Sequence, residues 1–482
     1  MSTVFKINAL LIGSALLMFG GGLQGLLLSV RGAQEGFSLL ALGLIGTGWS
    51  VGFVTGSIVV PMIVRKAGHI RAYSVMAAIG TVTILLNLLW INDIGWILLR
   101  ALSGFCFAGA AMIVESWLNE VSDNRSRGTI FSVYTSINLT ASTVGQLSMS
   151  LTGTAGYVPF VVGAISFICA LLPTALTSTP QPRPLSSARL DLPLLIRTSP
   201  VAAFAAFCVG MANGTFGTLA PVYGFAQGLD SASIAYLFSI AVILGAVGQV
   251  PFGRLSDKID RRMVMVGLSL GGAIMGLTLI VLNPGQGPLL YALFALYGLM
   301  AYSIYPVAVA HANDFAKDGE FAKVASGMLL LLGVGLALGP ALASMVMNSY
   351  APVGLFFVTA TFHVVLAIFA LLRMRIRPVR DANGRVRFRP MPVSNKGATL
   401  ESVVLDPRAD DTIVQPRTQG APSWASQPAP AAPAPEPAPE PAPSAHRPAA
   451  EPEIIPPERP SAPPSQSDGE SDPSSPQAPK TV

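Results

Sequence analysis

Runs of about twenty apolar residues recur along the chain from residue 8 to residue 374. The hydrocarbon core of a bilayer is about 30 Å thick, and an α-helix needs roughly 20 apolar residues to cross it. The chain is also poor in charge, because Asp, Glu, Lys and Arg make up 11% of its 482 residues, against about 25% in soluble domains. These two features predict an all-α membrane protein.

Hydropathy divides this part of the chain into twelve candidate membrane spans. The first is longer than the apolar region of a usual signal peptide and lacks a convincing cleavage site, so it is interpreted as a span. The twelve predicted spans lie at residues 8–30, 39–64, 72–91, 95–119, 129–152, 157–177, 200–223, 231–252, 263–282, 287–311, 324–347 and 353–374. Twelve spans place both termini on the same side of the membrane.

The distribution of Lys and Arg predicts which side that is. Fourteen basic residues fall in the even-numbered connections between spans, whereas the odd-numbered connections contain only Arg31. Basic residues accumulate on the cytoplasmic side of a membrane protein. Both termini are therefore predicted to be cytoplasmic, in a multi-pass protein of the cell's inner membrane.

The spans group into two predicted six-helix bundles, residues 1–177 and 200–374, joined by a Pro-rich basic cytoplasmic linker at 178–199. An offset of about 193 residues aligns Gly104 with Gly298, and several other features follow in the same order. Secondary transporters use such internal repeats of six spans to rock around a central site.

The last part of the chain, residues 375–482, differs in composition. It begins with a basic stretch suited to the membrane surface, and from residue 421 it is mostly Pro, Ala, Ser and Glu. Such a segment cannot bury a core and is predicted to be a disordered cytoplasmic tail. It is either a spacer or a docking segment for a protein partner.

Several classes of function are disfavoured by what the sequence contains. The three cysteines lie inside apolar runs, the four histidines are scattered, and neither set has metal-ligand spacing. No Walker A motif or nucleophile arrangement is visible, and the basic residues do not form the patch that nucleic acid needs. The sequence therefore predicts no enzyme, no cofactor, no metal and no nucleic-acid partner.

Two ionisable residues lie inside span 4, where charge is costly. Arg100 is either an anchor that snorkels to the surface or a cavity-facing cation that pairs with a carboxylate, an anionic substrate or a proton-carrying group. Glu115 either carries a proton or forms a structural ion pair with Arg125, Arg127 or the loop after span 2. Fifteen residues separate Arg100 from Glu115, about 22 Å along a helix, so they cannot pair directly. Both are candidates for proton coupling.

A set of uncharged polar side chains within the spans are candidates for the wall of a substrate cavity. Two of them lie in spans 1 and 7, which correspond under the repeat, and two tyrosines lie three residues apart on one helical face. Polar side chains also join helices to each other, so packing remains an alternative for each. These cavity candidates are Gln24, Asn213, Gln146, Tyr302 and Tyr305.

The sequence "GRLSDKIDRR" at 253–262 resembles the signature loop of the major facilitator superfamily, a Gly-x-Leu-x-Asp-(Arg/Lys)-x-x-Arg-Arg pattern after spans 2 and 8. "LLRALSGFCFAGAA" resembles that family's span-4 motif at Arg100 and Gly104. "GLALGPALAS" in span 11 resembles a Gly-Pro motif that antiporters have in span 5, where this chain has Gln146 in place of Pro. Other stretches resemble poorly characterised bacterial members.

The resemblance implies a conformational latch at the cytoplasmic side of the second half. It implies that Asp257 faces the start of span 5 near Gly128, where a helix N-terminus favours a carboxylate, and that Arg261 or Arg262 meets Asp314. The predicted latch residues are Gly253, Asp257, Lys258, Arg261, Arg262, Asp314 and Glu120.

The first-half copy of this loop departs from the pattern. It has Pro61 where the family has Gly and Arg65 where the family has Asp. A cation near a helix N-terminus would be unfavourable, so the predicted latch is confined to the second half. Lys66 or Arg71 is still expected to pair with Glu115 or with Glu120, which the repeat aligns with Asp314.

Together these features predict a secondary active transporter that moves a small organic molecule by alternating access, with proton coupling. Export of amphiphilic compounds is favoured over uptake, because few of the candidate cavity residues are charged. The expected partners are the substrate, protons and the lipid bilayer, and the protein is expected to act as a monomer. Two alternatives remain open: a non-transporting scaffold or regulator that acts through the Pro-rich tail, and a uniporter without proton coupling.

Overall fold

The computed structural model describes residues 3–122, 127–175, 191–317 and 320–376. Over these residues the chain forms fourteen α-helices. In chain order they are α1 (Thr3–Gln34), α2 (Leu39–Ala67), α3 (His69–Leu89), α4 (Asp93–Val121), α5 (Arg127–Thr152), α6 (Val158–Cys169), α7 (Leu171–Ala175), α8 (Leu192–Thr198), α9 (Pro200–Ala226), α10 (Ser231–Lys258), α11 (Arg261–Leu282), α12 (Pro288–Phe315), α13 (Phe321–Tyr350) and α14 (Gly354–Ile376). The predicted tail beyond residue 376 and most of the predicted linker lie outside the described residues.

Polar residues in the short connections fix where the helices begin. The side chain of Asn92 accepts a hydrogen bond from the backbone N–H of Gly95 at the start of α4, and Asp230 and Asp260 cap α10 and α11 in the same way. Such caps satisfy backbone donors that the first helical turn leaves unpaired. Gly68, with a φ of 82°, permits the sharp turn between α2 and α3.

The twelve predicted spans all coincide with helices. Ten helices of the described chain are long and apolar enough to cross a membrane by themselves. The fifth span, α5, is long enough but contains five Ser and five Thr residues. It packs against α1 and α10. The sixth span is formed by α6 and the short α7, which meet at Ala170. The prediction of an all-α membrane protein is confirmed.

The two halves repeat the same helix crossings. A β-carbon at Gly104 would collide with the backbone carbonyl of Trp49, and one at Gly298 would collide with that of Ala241. The crossing of α4 over α2 therefore has the same close backbone approach as the crossing of α12 over α10. Small residues permit such contacts between membrane helices. The alignment at an offset of about 193 residues thus corresponds to a structural repeat.

Among the described residues, four pairs of helices join the halves: α1 with α9, α2 with α9, α2 with α13, and α5 with α10. We use the term outer end for the end that carries the α1–α2 and α9–α10 connections, and inner end for the opposite end. Thr154 and Ser231 share a hydrogen bond of 3.0 Å at the outer end. Thr47 and Ser50 of α2 donate to backbone carbonyls of α13 at 2.6 Å and 3.2 Å. These contacts close the bundle from its middle to its outer end.

Candidate functional site

A small cavity of about 90 Å³, partly open to solvent, lies between the two halves. Helices of both halves form its wall, which combines polar, aromatic and small side chains. The first half contributes Ser29, Trp49, Ser50, Arg100 and Gln146, among others, and the second half contributes Thr218, Phe238, Val242, Tyr302 and Leu336. A concave site with few convergent polar groups is the usual form of a small-molecule site.

Arg100 is the charged residue of this wall and is 6% exposed. Its Nη1 donates a hydrogen bond of 3.0 Å to Oε1 of Gln24, and the hydroxyl of Ser103 donates to the same oxygen at 3.0 Å. The guanidinium also lies 5.8 Å from the ring centroid of Trp49, within reach of a cation–π interaction. A buried guanidinium that contacts Gln24 and Trp49 in this way does not fit the snorkelling alternative.

The predicted cavity residues divide into three groups. Gln146 and Tyr302 line the cavity, and Gln24 holds the guanidinium that does. Asn213 and Tyr305 are buried, at 4% and 6% exposure, and are not among the residues that line this cavity. Within the described part of the chain, Nε2 of Gln24 and Oε1 of Gln146 have no hydrogen-bond partner. Each leaves a buried polar atom available to a ligand.

Glu115 lies in a separate polar network on the same helix as Arg100. The carboxyl group is fully buried, and the hydroxyl of Tyr134 donates to its Oε1 at 3.1 Å. Tyr134 also interacts with Asn138 and with Ser14, whose hydroxyl donates to Asn138 at 2.8 Å. The carboxyl group is thus surrounded by α1, α4 and α5.

Of the predicted ion-pair partners of Glu115, the described residues include Lys66 and Arg71. Lys66 and Arg71 are exposed on the loop after α2 and at the start of α3, and Glu120 is exposed near the end of α4. Arg125 and the side chain of Arg127 lie outside the described residues.

The second-half loop forms a buried ion-pair network. Arg261, which is 1% exposed, donates from Nε to Oδ2 of Asp314 at 2.8 Å and lies 3.2 Å from Oδ1 of Asp257. Its Nη1 donates to the hydroxyl of Ser256 at 2.9 Å. The structure therefore brings together Arg261 and Asp314, which the family resemblance paired, and the contact joins α10, α11 and α12.

Arg262, the other predicted partner of Asp314, pairs instead with Asp260 at 2.9 Å. Burial would raise the pKa of Asp260, but hydrogen bonds from the side chain and backbone of Arg262 outweigh it, so the pKa lies below its usual value. Gly253 is buried in α10 and Lys258 is exposed at its end. Asp257 lies at the inner end of the antiparallel α5–α10 pair, where α5 begins.

Two features of the structure were missed by sequence reasoning. His363 of α14 is 1% exposed, and its Nε2 lies 3.4 Å from the hydroxyl of Tyr297 in α12. At the outer end, Arg31 donates from Nη1 to the backbone carbonyl of Thr154 at 3.0 Å, and Thr154 in turn contacts Ser231. A single histidine in an apolar run gives no spacing signal, but the isolated position of Arg31 among the odd-numbered connections was visible.

The sequence model of the Major Facilitator Superfamily matches this chain twice, over residues 10–284 and 202–409. The chain belongs to the Major Facilitator Superfamily. Among curated proteins it is similar to the uncharacterized MFS-type transporter YcaD of Shigella flexneri serotype 5b (strain 8401). The two are 26% identical over 380 residues, which cover 78% of this chain and 97% of YcaD. YcaD of Escherichia coli O139:H28 matches at the same identity and coverage.

Solved structures of superfamily members share the fold. The nucleoside transporter NupG superposes with a TM-score of 0.65 at 16% identity, covering 77% of this chain and 100% of NupG. A D-xylose-proton symporter gives a TM-score of 0.58 at 15% identity, covering 79% of this chain and 98% of the symporter. Family and fold together identify a multi-pass membrane transporter rather than an enzyme.

Proposed function

We propose that this secondary transporter exports a small amphiphilic molecule across the inner membrane in exchange for protons, by alternating access between its two halves. The observation that supports this proposal most strongly is the placement of two ionisable residues on α4. Arg100 is on the cavity wall, and Glu115 is buried fifteen residues further along the same helix. One helix thus connects a substrate site to a group that can bind a proton.

Glu115 fits the role of the proton carrier. A charged carboxylate at membrane depth is costly, and protonation removes that cost. The hydroxyl of Tyr134 contacts one carboxyl oxygen, and Asn138 and Ser14 extend the polar path toward α1. A change in the packing of α1 against α4 and α5 would alter this environment and with it the proton affinity. The fold also accommodates proton coupling in the D-xylose-proton symporter.

The contacts between the halves support alternating access. At the outer end, the bond between Thr154 and Ser231 links the two halves, and Arg31 of the first half donates to the backbone carbonyl of Thr154. Opening that end requires the bond between Thr154 and Ser231 and the contacts of α2 with α13 to break. Each such hydrogen bond contributes about 0.5–1.5 kcal/mol net, so substrate or proton binding can shift the equilibrium.

The inner end has a different kind of contact. The buried ion pair of Arg261 and Asp314 holds the corner between α10 and α11 against α12. Asp257 contacts Arg261 at this corner and lies where α10 packs against the beginning of α5. We propose that Asp257 stabilises the closed inner end by facing the N-terminus of α5. A carboxylate there is favoured by about 0.3–1 kcal/mol.

Features of the cavity support the proposed direction of transport and the proposed monomer. Its wall includes one charged residue, Arg100, beside Trp49, Phe238 and Tyr302, which suits molecules with a large apolar part. Such molecules cross membranes unaided, so a cell gains more from exporting them than from importing them. Helices of one chain complete the cavity, which supports a functional monomer.

Reconstituted protein tests the proposal. Proteoliposomes that contain the full-length chain and a trapped pH-sensitive dye are exposed to a library of amphiphilic metabolites and drugs. We expect at least one compound to produce a change in internal pH that a protonophore abolishes and that empty liposomes do not show. Substrate flux without any movement of protons would contradict proton coupling and leave a uniporter.

A further inference from the structure

The charge of Arg100 is not balanced by an acid in the described structure. Its guanidinium contacts a neutral amide, Gln24, and an aromatic ring, Trp49. No Asp or Glu lines the cavity among the described residues. A buried cation without an anionic partner carries a large desolvation cost, so this site is destabilised until an anion reaches it.

Among the described residues, the acids inside the bundle do not supply that anion. Glu115 is about 22 Å further along α4 and contacts Tyr134. Asp314 and Asp257 contact Arg261 at the inner end. The remaining source of negative charge is a molecule that enters the cavity.

The surroundings of Arg100 add donors and an apolar wall. Nε2 of Gln24 has no hydrogen-bond partner, and its own carbonyl oxygen is bound to Arg100, so this donor lies beside the guanidinium. A carboxylate can accept hydrogen bonds from both groups. The rings of Trp49, Phe238 and Tyr302 line the same cavity and offer apolar surface to the rest of the molecule.

We propose that the transported substrate is a small organic anion, a monocarboxylate with an apolar or aromatic body, whose carboxylate pairs with Arg100 between the two halves. This inference rests on the proposed transport function and specifies its substrate class. One lining cation matches one negative charge. The amide of Gln24 adds a directional hydrogen bond, and the aromatic residues contact the body.

The test uses pairs of compounds that differ in charge and little else. Purified full-length protein is heated in the presence of phenylacetate or phenylacetamide, and of indole-3-acetate or indole-3-acetamide, at millimolar concentration. A ligand that binds the folded state raises its melting temperature. We expect the acids to raise it and their amides to have no effect, and we expect the acids to bind wild-type protein about ten- to a hundredfold more tightly than Arg100→Gln.

Two further variants separate charge from folding. Arg100→Lys keeps a cation and should retain part of the preference for acids over amides. Arg375→Gln removes an exposed arginine at the end of α14 and should bind like wild type. If Arg100→Gln does not give monodisperse protein, the lysine variant and the acid–amide comparison in wild type decide the question.

The inference is overturned if amides stabilise the wild type as well as acids do, if no acid stabilises it, or if Arg100→Gln binds the acids unchanged. These readings need no gradient, so they are independent of transport. Selective binding of acids without flux in liposomes would contradict the proposed transport function but not the preference for acids. Proton-coupled flux of neutral compounds through Arg100→Gln would contradict the monocarboxylate substrate but not the transport function.

Discussion

The two halves of the protein share their helix crossings but differ in the side chains placed one turn away. Gly104 and Gly298 make equivalent close contacts. Four residues before them stand Arg100, which lines the cavity, and Phe294, which packs against other aromatic rings. The two halves thus share their backbone packing, whereas the charged residue of the cavity wall lies in the first half only among the described residues.

At the inner end, the loop between α10 and α11 forms a buried ion pair, and the equivalent loop between α2 and α3 has exposed basic residues. In the second half, Arg261 forms a buried ion pair with Asp314. In the first half, the basic residues Arg65 and Lys66 are exposed, and His69 packs beside Trp117 with a centroid distance of 6.0 Å. In our proposal, the first half supplies the charged residue of the cavity and the proton carrier, and the second half supplies the rigid corner that closes the inner end.

The largest expected effect comes from breaking the second-half ion pair. Asp314→Asn removes the shorter of the two ion pairs described for the buried Arg261 and keeps the one with the partly exposed Asp257. We expect a loss of about 3 kcal/mol in the free energy of unfolding, since breaking a buried pair typically costs about 3–5 kcal/mol. Glu120→Gln, at the exposed first-half position, should change it by less than about 0.5 kcal/mol. Equal losses in unfolding experiments in detergent would contradict the asymmetry.

The shared crossings give a prediction that is equal in both halves. Gly104→Ala and Gly298→Ala each force a methyl group against a backbone carbonyl, and overpacking costs about 1–3 kcal/mol. Gly267→Ala is the matched control, because open space surrounds that position. It should be neutral or slightly stabilising, since alanine favours a helix. Melting temperatures decide the outcome, and a large effect in one half alone would contradict the structural repeat.

The proposed latch predicts a change in transport that is larger than the change in stability. Asp257→Asn removes the charge that we propose faces the N-terminus of α5, an interaction of about 1 kcal/mol. We expect transport to fall several-fold, and we expect the melting temperature to fall less than it does with Asp314→Asn, because Asp257 is the more exposed acidic partner of Arg261. Arg254→Gln, an exposed neighbour on α10, serves as control. Normal flux through Asp257→Asn would show that Asp257 does not act as a latch.

The smallest effect is a dependence of stability on pH. The pKa of Asp260 is lowered in the folded protein, so its contribution is present above the unfolded pKa of about 3.9 and is lost as pH falls through the folded value. Asp260→Asn should cost about 1 kcal/mol or less at neutral pH, and the difference from wild type should vanish at strongly acidic pH. A difference that grows on acidification would contradict the pairing with Arg262.

The fold was predictable because span length and basic loops are strong signals in a membrane protein. The pairing of Arg261 with Asp314 was predictable from the motif. The contact between Gln24 and Arg100 was not, because lipid-facing and buried helix faces are both apolar and the sequence does not show which residues point inward. For the same reason the sequence could not show that Tyr305 is buried away from the cavity wall. It also gave no signal that His363 is buried beside Tyr297.

The proposal that a first-half residue carries the proton is tested most directly by measuring proton movement in proteoliposomes. Substrate-induced pH change is compared between wild type, Glu115→Gln and His363→Gln, using the acid that stabilises wild-type protein most. These residues are buried ionisable groups of the first and second half. We expect Glu115→Gln to abolish the pH change and His363→Gln to keep it. A full pH change with Glu115→Gln, or its loss only with His363→Gln, would contradict proton coupling through the first half.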